Sequence, residues 1–244
     1  MKRYKLLIKY DGEKFFGWQI QKDKRTVQGV IENALSQVFK IKSRVIIHGA
    51  GRTDSGVHAY QQAAHFNIST NLNENNLKNA INSKLEIDCR IISVKIVNNN
   101  FHARFSALRR EYLYQCYTGD SILYRNQSWF LKKVKISCLN NLAKKIIGTH
   151  DFLSFSKYNP KISSTKCIIY DSKWILNEDM VIFSIVSNRF LHHMIRYLVG
   201  TMIAVSEDRI SKRSFNFLLA NPRKSVRIFK APPQGLILNR IDYE

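Results

Sequence analysis

The sequence predicts an α+β fold built from two successive βαββαβ units. Three observations carry that expectation: short stretches with period-two alternation, amphipathic helical stripes between them, and a Gly-rich loop framed by strand-like segments. Residues 4–10 alternate and run into Asp11-Gly12, a strand ending in a turn. Val27, Val30, Ile31, Ala34, Leu35, Val38 and Phe39 then recur at helical spacing, with Thr26 as the N-cap. Residues 44–47 and 61–66 are expected as short strands flanking the Gly-rich loop. Leu77, Ala80, Ile81 and Leu85 mark a second helix capped at Asn73 or Asn75, and Cys89–Val97 closes the first unit as a strand.

The second half repeats the order. Residues 111–117 are strand-like, and Leu139, Leu142, Ala143, Ile146 and Ile147 form a helical stripe that stops at Gly148. Residues 166–176 and Met180–Ser187 make a hairpin across Asn177-Glu178-Asp179. Residues 190–205 read as a long apolar helix, 211–220 as a shorter one, and 235–243 as a final alternating strand. Two units of this order are split-βαβ, ferredoxin-like modules, expected over residues 1–105 and 106–244. Only the element order repeats; the residues do not.

Charge narrows the partner. The 244 residues hold 39 Lys and Arg against 18 Asp and Glu, a net charge of +21. Both halves carry the excess, so a folded body presents it rather than a basic tail, which suits a structured nucleic acid. Cys89, Cys116, Cys138 and Cys167 stand apart with no CxxC pair and no export signal ahead of them, which points to the reducing cytoplasm. No apolar run reaches the ~20 residues that a bilayer crossing requires.

Four clusters bear chemistry. The first is His48-Gly-Ala-Gly-Arg-Thr-Asp-Ser-Gly-Val-His-Ala59, where Asp54 stands two residues from Arg52 on a loop that its glycines keep tight. A carboxylate beside a guanidinium stays ionised, which makes it a nucleophile or an anionic anchor rather than an acid. The second is Tyr10-Asp-Gly-Glu-Lys-Phe-Phe-Gly-Trp-Gln19, whose aromatics fit either the core or a nucleic-acid face. The third spans residues 101–114, where period two places Arg110, Tyr112 and Tyr114 on one strand face, able to stack a base and hold its phosphate. The fourth spans residues 188–200, where Arg196 lies on an apolar helix and requires an anionic partner. His192 and His193, as helix neighbours, are expected to point to different faces and not to share a metal. The glycines do not match GxGxxG or a phosphate loop, and no GxSxG elbow or carboxylate cluster for two metals occurs. These absences remove NTPases, dinucleotide enzymes, serine hydrolases and two-metal nucleases. No RNP1 string marks either unit as a simple RNA-recognition module.

Together the clusters resemble the tRNA pseudouridine synthase A (TruA) family. The resemblance runs through Tyr10-Asp-Gly-x-x-Phe-x-Gly-Trp-Gln19, Ala50-Gly-Arg-Thr-Asp-Ser-Gly-Val-His-Ala59 and Phe101-His-Ala-Arg-Phe-Ser-Ala107. It continues through Arg110-x-Tyr112-x-Tyr114, Phe190-Leu-His-His-Met-Ile-Arg196 and Ala231-Pro-Pro-x-Gly-Leu236, in the family's order. Ser55 stands where alanine is also common. The resemblance implies the pseudouridine synthase fold, two ferredoxin-like halves around a basic central cleft. It implies conversion of uridine to pseudouridine at positions 38, 39 and 40 of the tRNA anticodon stem-loop, by a homodimer, with no cofactor and no metal. Asp54 matches the family's nucleophile, and Tyr112 the tyrosine that packs on the target base and is a candidate for the later proton abstraction. Arg52 matches the arginine that handles the displaced nucleotide, and Arg196 the basic residue paired with the aspartate. Arg110 joins the substrate-binding set. Attack at C6 of uracil and attack at C1′ of ribose both fit these residues. The competing class is a non-catalytic RNA-binding protein of ferredoxin-like modules, which explains charge and fold but has no use for an acid in a basic groove.

Overall fold

A computed structural model describes residues 1–243 and has the expected mixed α and β content. Its packing divides into two units, Met1–Leu108 with Ile237–Glu244, and Arg109–Leu236.

In the first unit, β1 (Lys2–Tyr10) turns Tyr4, Leu6, Ile8 and Tyr10 inward, each at most 3% exposed. Alternate burial of this kind puts one face of the strand on the core, while its backbone groups are satisfied by pairing at both edges. β1 lies antiparallel between β3 (His58–Ile68) and β4 (Cys89–Val97), with Leu6 opposite Ala64 and Val94. β2 (His48–Gly49) pairs β3 antiparallel, which gives the order β4-β1-β3-β2. The helices α1 (Val27–Val38) and α2 (Glu74–Asn82) begin at Thr26 and Asn73, whose side chains accept from Gly29 N and Asn76 N. Each cap contributes about 1 kcal/mol.

Two expectations for this unit change. Residues 44–47 keep alternate burial, with Val45 and Ile47 inside, but form no ladder; the pairing begins at His48. Ile47 N donates to the Glu32 carboxylate (2.9 Å), so its backbone is satisfied by a helix side chain instead of a strand. The second change concerns the boundary. It falls between Leu108 and Arg109, and all but the first residue of the last strand, β10 (Leu236–Asp242), groups with the first unit. β10 runs parallel to β3, with Ile237 opposite His58. Tyr243 fixes the strand's end, its hydroxyl donating to Ala103 O (2.8 Å).

In the second unit, β5 (Arg109–Tyr117), β9 (Met180–Ser187), β8 (Lys166–Asn177) and β7 (Gly148–Asp151) form an antiparallel series in that order. The short β6 (Trp129–Phe130) runs parallel to β5. α3 (Ile136–Lys145) packs on β8, where Asn140 exchanges two hydrogen bonds with the backbone of Trp174 (2.9 and 3.0 Å). α4 (Met194–Ser206) is buried on nearly every face and starts four residues later than its apolar run suggests. His193 has φ +62°, a left-handed conformation that breaks the helical path before Met194. Beside α4, α5 (Lys212–Ala220) is capped by Ser211.

Candidate active site

The Asp54 turn is assembled from its own glycines and from residues 15–18, in the loop that follows β1. Val57 N donates to Asp54 O (3.2 Å), and Gly56 at φ +77° supplies the left-handed residue that this turn requires. Three further bonds tie the turn to residues 15–18. Trp18 N donates to Thr53 O (3.1 Å), Gly56 N to Phe15 O (3.3 Å), and Ser55 Oγ to Phe15 O (3.2 Å). Gly17 allows this approach: its φ is +88°, and a Cβ there would lie 2.6 Å from Thr53 O. Tyr10 and Thr53 join through their hydroxyls at 2.9 Å, both buried. Asp54 itself is half-buried, on backbone held from both sides. Such a carboxylate is positioned before any substrate arrives, which is what a nucleophile needs.

Arg52 is exposed, and its Nε donates to Gln19 Oε1 (3.1 Å). Gln19 Nε2 in turn donates to Gln28 Oε1 (2.9 Å), and Gln28 Nε2 to Glu32 Oε1 (2.9 Å). Glu32, 2% exposed, also pairs with Arg44. A ladder of side chains therefore runs from α1 to Arg52. Arg52 is thus held by Gln19, which lies 33 residues away in the chain. Gln19 belongs to the motif that carried the resemblance, yet no periodicity links it to Arg52.

The remaining expected site residues lie in the second unit. Arg110, half-buried on β5, donates through Nη1 to Asn188 O (2.7 Å). Tyr112, on the same strand face, is 9% exposed and meets Phe190 edge to face, with centroids 5.2 Å apart. The segment 188–190 thus holds both. Tyr114 departs from the expected stacking role: it is fully buried, its hydroxyl donates to Pro232 O (2.8 Å), and burial pushes its phenol pKa up. Arg196 sits in the first turn of α4 at 8% exposure, its Nε donating to Ala231 O (2.8 Å) while Ala231 N donates to Arg196 O (2.9 Å). His192 and His193 precede the helix rather than ride on it, and their ring centroids lie 4.0 Å apart. Opposite helix faces therefore do not separate them.

Of the strand-end aromatics, Phe15 and Trp18 are core at 1% and 2% exposure, and only Phe16 faces outward. A histidine cluster that the sequence did not reveal stands behind the loop. His65 rings with His48 and His102 at centroid distances of 5.0 and 4.6 Å, and His65 Nδ1 accepts from Ala103 N (3.1 Å). Ala103 packs on Ala50, the first residue of the Asp54 loop motif.

Comparison with known proteins shows the family. A family model described as tRNA pseudouridine synthase matches residues 6–106 and 142–244. The tRNA pseudouridine synthase A of Borrelia duttonii (strain Ly) is 39% identical over 247 residues, spanning all of both chains. That of Borreliella burgdorferi (strain ATCC 35210 / DSM 4680 / CIP 102532 / B31) is 39% identical over 248 residues, and that of Borrelia hermsii (strain HS1 / DAH) is 38% identical over 247, each again spanning all of both chains. This chain belongs to the tRNA pseudouridine synthase A family, and it is an isomerase that makes pseudouridine in tRNA.

Proposed function

We propose that this chain isomerises uridines 38, 39 and 40 of the tRNA anticodon stem-loop, with Asp54 as the nucleophile. The observation that carries the proposal is the clamped turn, an acid fixed by Gly17, Thr53 and Phe15 within a chain of net charge +21. In a polyanion-binding protein a carboxylate at such a spot opposes phosphate, so its use is chemical. The reaction breaks the N1–C1′ bond and forms a C5–C1′ bond; C5 loses a proton and N1 gains one, so no oxidant or reductant is needed. Asp54 attacks C1′ or C6, and both routes require an ionised carboxylate held in place.

Tyr112 supplies the ring for the target base, after that base leaves its stack at a cost of a few kcal/mol. Its edge-to-face packing on Phe190 supports a fixed ring plane. Arg196 supplies the positive charge that the carboxylate needs, Arg52 handles the displaced nucleotide, and Arg110 binds substrate beside Tyr112. These roles follow from the family resemblance and are supported by the backbone and side-chain bonds that hold each guanidinium.

We read both units as ferredoxin-like modules presenting a basic RNA surface. The order β4-β1-β3-β2 supports this for the first unit. A homodimer working without cofactor or metal is the state that the resemblance suggests. Four free thiols, all buried, support a reducing cytoplasm as its location.

The test is tritium release from tRNA carrying 5-³H-uridine, followed by mapping of the modified positions. Release from residues 38, 39 and 40 is expected. Release confined to another region of the tRNA would contradict the assignment.

A further inference from the structure

Tyr10, Phe15 and Trp18 are at most 3% exposed, whereas Phe16, between them in sequence, is 47% exposed. A single exposed Phe is ordinary. Three features separate this one. Its chain neighbours hold the Asp54 turn: Phe15 O accepts from Gly56 N and Ser55 Oγ, and Gly17 is pressed against Thr53 O. Its own backbone is pinned on both sides, with Phe16 N donating to Arg25 O (2.9 Å) and Gln21 Nε2 donating to Phe16 O (2.7 Å). The ring is therefore presented with its ordering cost already met. Finally, Lys24 Nζ lies 4.6 Å from the ring centroid. The next residue, Arg25, is committed to Asp88 (2.7 Å) and Glu86 (3.2 Å), which leaves Lys24 as the cation beside the ring.

An aromatic face with an ammonium at hand matches one nucleotide, the base on the ring and the phosphate on the cation. We propose that Phe16 and Lys24 form a nucleotide subsite that stacks an unpaired base of the tRNA close to the target uridine and holds its phosphate. Lys24 passes from the ring to the phosphate as the base takes its place. The proposal rests on Asp54 as the reaction centre, because only then does this exposed ring border the chemistry.

The experiment measures Kd for an anticodon stem-loop RNA, its salt dependence, and steady-state kinetics. Phe16→Leu raises Kd and KM about 10-fold while kcat stays within about twofold, and Phe16→Trp restores both. Lys24→Gln lowers the slope of log K against log salt by about one. The subsite is overturned if Phe16→Leu, melting like the wild type, binds the stem-loop with unchanged Kd and KM, or if Phe16→Trp fails to restore what Phe16→Leu loses. Affinity is read without turnover, so this failure is distinct from failure of the Asp54 reading, which would appear as undiminished tritium release from Asp54→Asn.

Discussion

Tyr112 keeps one edge of its ring on Phe190 and has a hydroxyl besides, so the stacking and proton-transfer roles proposed for it can be separated by substitution. Stacking on an RNA base is worth ~1–3 kcal/mol. Tyr112→Phe keeps the ring and loses the hydroxyl, whereas Tyr112→Ala loses both. We expect kcat/KM to fall about 10-fold or more further in Tyr112→Ala than in Tyr112→Phe; equal losses in steady-state assays would remove stacking from the account. His65 yields a pH prediction. Burial, then the charges of His102, His48 and Arg3, push its pKa down from 6.5 to about 4. The unfolded chain takes up a proton near pH 6.5 and the folded chain only near pH 4. The contribution of neutral His65 is therefore complete above 6.5 and is lost as pH falls towards 4, by up to about 3 kcal/mol. Urea unfolding at pH 7 and pH 5 should show about 2 kcal/mol of that loss in the wild type and a smaller one in His65→Gln; identical pH dependence would exclude His65 as its source. At this scale the sequence exposed Asp54, because glycines and an arginine frame it locally. It hid the histidine cluster, whose members lie on β2, β3 and the loop before β5.

Among the elements, α1 does more than cover the sheet. Gln28 and Glu32, four residues apart, form a buried polar ridge that continues through Gln19 to Arg52. Glu32 accepts from Gln28 Nε2 and Ile47 N and pairs with Arg44, whose side chain is 52% exposed. Removing Glu32 strands Ile47 N, at about 1–3 kcal/mol, while Gln28 Nε2 keeps Ile47 O and the Arg44 charge is partly hydrated. Glu32→Ala is expected to lower stability by that amount in urea titration, and to reduce kcat/KM severalfold through Arg52. A full loss of stability with unchanged kinetics would separate the ridge from the site. Periodicity made α1, α2, α5 and β4 legible; Thr26 is the expected N-cap, Asn73 is one of the two expected candidates, and Ser211, read as the first helical residue, caps α5. Periodicity failed at α4 because its apolar run extends through residues 190–193, which belong to a turn set by the left-handed His193. It also misread residues 44–47, whose alternation reflects burial against α1 and not strand pairing.

For the molecule as a whole, alternation identified the final strand but could not name its partner. β10 pairs in parallel with β3, far back in the chain, and only tertiary structure records that choice. The packing divides between Leu108 and Arg109 and groups Ile237 onward with the first unit, where the sequence suggests a single division at residues 105 and 106. Net charge, by contrast, is a property of the whole sequence and needed no structure to indicate an RNA partner. The central claim is that one carboxylate within this basic protein performs covalent chemistry on RNA. It is tested most directly by tritium release from 5-³H-uridine tRNA with Asp54→Asn and Asp54→Ala, alongside Kd for the same tRNA. The account predicts that release is abolished in both variants while Kd stays within about threefold of wild type. Release near the wild-type rate from either variant would contradict it.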